Sequence, residues 1–191
     1  MGIIRLTKEQ IEFLDNNYPT LNYETEKNAI TGILPFNLQF GENGEVIIDE
    51  YQIEIDLNNV SNLGIPIVKE TGDRILGISV AKKIDPIELH LNRINGEMCI
   101  IIPPKIKERY PNGFDLQILL EHLQEHFYWI SYFEKYNKAP WKASAHGDLG
   151  YYELYLENRE KYSNDIKKYF NYKSRAEFRR KINELRKAYK K

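Results

Sequence analysis

Apolar positions recur at helical spacing near both ends of the chain and at strand spacing between them. Thr7-Lys8-Glu9-Gln10 is a capping-box sequence; Ile11, Leu14 and Tyr18 follow on one face and Pro19 closes the run. A helix over residues 7–17 is predicted. Residues 29–40 are apolar but broken by Gly32 and Pro35, the pattern of a strand with an irregularity. Glu42-Asn43-Gly44 has the composition of a hairpin turn. In residues 45–57, Ile53 and Ile55 alternate with Gln52, Glu54 and Asp56, as in a strand with one wet face. Asn58-Asn59 and Asn62 predict a turn, and residues 65–70 a third strand whose Pro66 favours a sheet edge. Residues 75–81 read as one further short strand.

The pattern then returns to helices. Leu116, Leu119, Leu120, Leu123, Phe127 and Ile130 share one face of a predicted helix over 114–136, which Pro140-Trp141 ends. A loop follows, then a short aromatic helix over 150–160. Ser174-Arg175-Ala176-Glu177 is a second capping box, opening a terminal helix striped by Phe178, Ile182, Leu185 and Tyr189. Helix, antiparallel meander, then helices is an α+β order.

Composition sets the setting for this layout. A single cysteine in 191 residues excludes an internal disulfide and fits a reducing cytoplasm. The N-terminus lacks a signal-peptide layout, and no apolar run approaches the ~20 residues of a membrane span. A cytoplasmic protein with no membrane contact is therefore expected. The net charge of −1 hides an asymmetry: residues 161–191 hold 12 Lys+Arg and 3 Asp+Glu, against 15 and 25 in residues 1–160. The division expected is a domain over 1–160 and a basic helical extension over 161–191. The tail carries Lys167, Lys168, Lys173, Arg175, Arg179, Arg180, Lys181, Arg186 and Lys187, interleaved with Tyr169, Phe170 and Tyr172. Docking of its apolar stripe on the acidic body formed by residues 1–160 is the simplest reading; an acidic protein comes next, and nucleic acid last.

Two stretches can carry chemistry. In the first, His90-Leu91-Asn92-Arg93-Ile94-Asn95-Gly96-Glu97-Met98-Cys99, the one thiol follows an Asn-Gly turn. Ile100-Ile101-Ile102 after it reads as a short strand stopped by Pro103-Pro104. A thiol there is placed as a nucleophile, though a buried structural cysteine has the same local pattern. Acyl transfer needs donors for the developing oxyanion. The Asn92 amide can supply one; His90 can supply another, or hold the loop through a backbone bond. Both also suit a purely turn-stabilising role. In the second stretch, His122-Leu123-Gln124-Glu125-His126 matches the H-x-x-E-H zinc-peptidase pattern, but nothing identifies a third ligand.

His90-x-Asn92 followed by Asn95-Gly96-x-x-Cys99 resembles the His-Pro-Asn…Asn-Gly-x-x-Cys segment of ubiquitin-conjugating enzymes. The preceding Ile65-Pro66-Ile67-Val68-Lys69-Glu70 is similar in order to that family's Tyr-Pro…Pro region. Trp141…His146-Gly147…Gly150…Glu153-x-Tyr155 resembles the bacterial branch found beside cyclic-nucleotide anti-phage (CBASS) operons. The resemblance spans roughly residues 1–160. Leu91 stands where the family has proline, and one residue fewer separates His90 from Cys99.

The resemblance implies the ubiquitin-conjugating fold and a thioester carrier in anti-phage defence. Cys99 would accept the C-terminal carboxyl of a partner protein, in this branch a cGAS-like nucleotidyltransferase, and pass it to an amine. His90, Asn92 and His146 would serve the thiol. No cofactor or metal is implied, and the need for a separate activating enzyme is left open. A catalytically inactive scaffold of the same fold is the alternative, and a zinc peptidase using His122 and His126 ranks below it.

Overall fold

Thr7 closes the first turn of a helix from both sides. Its hydroxyl accepts the Gln10 N–H at 3.3 Å, and the Gln10 side chain accepts the Thr7 N–H at 3.0 Å. This is α1 (Lys8–Asn17), with Leu14 fully buried. The computed structural model describes residues 2–42, 44–60, 64–92 and 95–189, and the chain divides into two compact units, Met1–Trp141 and Lys142–Lys191. The fold is α+β: an N-terminal helix, a four-stranded antiparallel sheet, then helices.

In the first unit β1 (Leu21–Glu24), β2 (Ala29–Gln39), β3 (Val46–Val60) and β4 (Pro66–Glu70) form a meander in sequence order. The register sets Ile30 opposite Ile55, Gly32 opposite Ile53 and Leu34 opposite Tyr51, so one face of the sheet is continuously apolar. That face is covered by α4 (Leu116–Tyr136), whose Phe127 ring stacks on Tyr51 at 4.2 Å and whose Ser131 hydroxyl bonds the Tyr51 hydroxyl at 2.9 Å. Burial without an opposite charge strong enough to compensate pushes the Tyr51 phenol far above its ordinary value. Asp115 caps α4 by accepting the Ile118 N–H at 3.0 Å.

The strand expected over 29–40 is β2, and its irregularity lies at Gly32: with φ of +133° and a Cβ that would sit 2.2 Å from the Thr20 carbonyl, this residue lets the strand pass close to the preceding chain. Other expectations are corrected. Residues 21–24 form a strand that the apolar pattern did not single out. Asn58 and Asn59 lie inside β3 rather than in a turn; Asn58 is held there by a bond to the Lys27 carbonyl and by the buried Asn28 amide. Asn43 and Asn62, the other turn residues, lie outside the described residues. The strand expected over 75–81 is a helix, α2 (Arg74–Lys82), burying Ile75, Ile78 and Ser79 at helical spacing. The Glu70 carboxylate starts it, accepting the N–H groups of Gly72 and Ile75 at 2.7 and 3.2 Å. Ile100-Ile101-Ile102 forms no strand, and Pro103 leads into a 3-10 turn followed by the short α3 (Ile106–Arg109).

The second unit contains α5 (Gly147–Glu157), α6 (Arg159–Tyr169) and α7 (Arg175–Tyr189). Residues 147–150, expected in a loop, open α5, and α6 was not foreseen. Ser174 and Glu177 form the expected capping box, at 3.2 and 3.3 Å. Phe178 and Leu185 of α7 are buried, its Lys181 pairs with Asp148 at 2.8 Å, and its Tyr189 bonds Glu153 at 2.7 Å. The apolar stripe of the basic tail is thus spent inside its own unit. Among the described residues, no helix is long and apolar enough to cross a membrane.

Candidate functional site

The Cys99 segment lies along the edge of β4. The Glu70 N–H donates to the Gly96 carbonyl and the Met98 N–H to the Val68 carbonyl, both at 2.9 Å, while Lys69 bridges Glu97. Residues 96–98 therefore pair with part of the β4 edge through isolated bridges, without forming a fifth strand. This arm folds back on the chain before it. The Cys99 N–H donates to the His90 carbonyl at 2.8 Å, and the Asn92 N–H to the Glu97 carbonyl at 2.8 Å. Leu91 faces Met98 between these bonds, and both are buried. Cys99 thus stands directly across from His90 at the end of the ladder.

Local sequence explains the shape. The Asp85 carboxylate accepts the Ile87 N–H at 3.0 Å and Pro86 opens a 3-10 turn over Pro86–Leu89. His90 ends that turn in the left-handed region, φ +64°, which redirects the backbone toward the sheet edge. Gly96 is the only residue type that fits its place: φ is +81°, and a Cβ would sit 2.0 Å from the Glu70 carbonyl.

Met98 is buried, whereas Cys99 beside it is partly exposed. Burial pushes its thiol above the ordinary value. The Asn92 amide is engaged, donating to the Met98 carbonyl at 3.3 Å. The His90 ring lies against α4, 4.2 Å from the His126 ring and 5.4 Å edge-on from Trp129, measured between ring centres. The structure therefore joins Cys99, His90 and Asn92 in one hairpin. The bond that links His90 to the cysteine is a backbone one. His146 belongs to the second unit, where it is the N-cap residue of α5; the Glu153 carboxylate holds the neighbouring Ala145 N–H at 2.7 Å.

Sequence reasoning missed Trp129 and gave His126 a different role. Nothing in the local pattern announces the His90 contact, because it joins elements far apart in the chain. The H-x-x-E-H residues have separate neighbours instead. His122 Nδ1 and the Tyr110 hydroxyl bond at 2.9 Å, Glu125 pairs with Arg109 at 2.8 Å, and His126 meets His90. Burial, with Arg109 adding to it, lowers the His122 pKa to about 4, so its ring is neutral at pH 7. Among the described residues, no group of three or more His, Cys, Asp or Glu side chains is placed to hold a metal ion. Compared with protein families, with curated proteins and with solved structures, the chain matches none.

Proposed function

We propose that this protein is a thioester carrier of the ubiquitin-conjugating type, with Cys99 as the nucleophile. The observation that carries the reading is the seat of the thiol. It is partly exposed at the end of a hairpin, after a four-stranded meander and before the long helix, with its N–H held by His90. The chemistry is two acyl transfers. The Cys99 sulfur, giving up its proton, attacks an activated C-terminal carbonyl; the S–C bond forms and the activating group leaves with the electron pair. An amine nitrogen then attacks the thioester; the C–N bond forms, the C–S bond breaks, and the thiolate regains a proton. The donor is proposed to be the C-terminal tail of a cGAS-like nucleotidyltransferase, in anti-phage defence, on the strength of the resemblance in residues 90–99 and 141–155. His90 and Asn92 act in this reading by fixing the hairpin, since the Asn92 amide is already bonded to Met98.

The raised thiol pKa favours a second reading, an inactive scaffold of the same fold. Cys99→Lys separates the two. In a carrier, co-expression with the partner traps it as a stable amide-linked conjugate that survives reductant. A scaffold yields no conjugate.

A further inference from the structure

We propose that the face of α4 bearing His122, Glu125, His126 and Trp129 is a brace that sets the position of Cys99, with His126 as its positioning residue. This deepens the carrier reading and rests on it. The four residues follow i, i+3, i+4, i+7 spacing and so share one helix face. They grip the chain on both sides of the thiol. Upstream, the His90 ring packs on His126 and Trp129 at 4.2 and 5.4 Å. Downstream, Arg109 pairs with Glu125 at 2.8 Å and Tyr110 bonds His122 at 2.9 Å. Between these anchors the chain is tied to β4 only as far as Met98, and residues 100–102 form neither helix nor strand, so the course of the chain after the thiol is set by what holds it on either side.

His90 passes the constraint to the thiol. It is a non-glycine residue at φ +64°, a conformation that surrounding contacts must hold. Its ring is held by α4, and its carbonyl holds the Cys99 N–H. Removing the His126 ring frees His90 to relax, and the Cys99 N–H loses its fixed partner. The H-x-x-E-H pattern is thus accounted for by three contacts to one segment.

The test is the rate at which iodoacetamide alkylates Cys99 in the full chain, measured across pH. Relative to the wild type, His126→Leu, which keeps bulk without the ring, is expected to react about tenfold faster at pH 7, with the midpoint of the rate profile lower. His126→Phe, which restores an aromatic ring against His90, is expected to return both toward the wild type. Leu14→Ala, a core truncation in α1 whose side chain forms no ring contact or hydrogen bond with His90 or His126, lowers the melting temperature and is expected to leave the midpoint in place. An unchanged rate and midpoint in His126→Leu overturns the brace. So does equal behaviour of the Phe and Leu variants, or an equal shift in Leu14→Ala. Iodoacetamide needs no partner protein, so failure of the carrier reading appears in a different assay.

Discussion

The Tyr110 hydroxyl and His122 Nδ1 lie 2.9 Å apart, in a half-buried place where His122 is held neutral with a pKa lowered to about 4. An unfolded chain takes up that proton near pH 6.5, its ordinary value, while the folded chain resists it. As pH falls from 7 to 4 the unfolded state therefore gains protons that the folded state does not, and stability declines; below pH 4 this contribution levels off. The decline from this one group is up to about 3 kcal/mol. His122→Phe should lose about 1 kcal/mol at pH 7 with the Tyr110 bond, and should show a shallower decline between pH 7 and 4. Urea unfolding at a series of pH values checks it; parallel curves for the two proteins contradict it.

Arg74 joins three elements. Its guanidinium contacts Asp49 of β3 and Glu134 of α4 at 2.6 Å each and lies 4.7 Å over the Tyr51 ring. Partial burial pushes the Asp49 carboxyl up, but its bonds to Arg74, Ser131 and the Glu50 N–H outweigh this and hold it low. Arg74→Met should cost about 2 kcal/mol at pH 7, a figure reduced from that of a fully buried pair because the groups are partly exposed. A depressed carboxyl contributes stability above its unfolded pKa and loses it as pH falls through the folded one. The gap between wild type and variant should therefore narrow below about pH 4. Thermal melts at pH 7 and pH 3 measure the gap; one that stays constant contradicts the account.

Gly96→Ala should cost about 2 kcal/mol or more, since the new Cβ meets the Glu70 carbonyl and φ is positive. The disturbance should be local. Hydrogen exchange should accelerate at the Glu70, Met98 and Cys99 amides and stay unchanged in α1. Uniform acceleration across the first unit would show that the hairpin is not a separable attachment to the β4 edge.

Elements with strong local signals were readable from the residues alone. Thr7 with Gln10, and Ser174 with Glu177, announced their helices because a capping box is local chemistry. The long apolar face of α4 was equally plain. Residues 75–81 were misread because a short run rich in Ile and Val has too little length to separate strand from helix; Glu70, outside the run, supplies the cap. Leu21-Asn22-Tyr23-Glu24 is too short for alternation to show. At the candidate site, Asn95-Gly96 revealed the turn that brings Cys99 back toward His90. The packing of His90 on His126 is tertiary, and no spacing rule contains it.

The most direct measurement is intact mass of the full-length protein purified with its proposed nucleotidyltransferase partner, with and without reductant. The account predicts a covalent adduct on the wild type that dithiothreitol releases and that Cys99→Ala never forms. An adduct of the same mass on Cys99→Ala, or none on the wild type when the partner and an activating activity are both present, would contradict it.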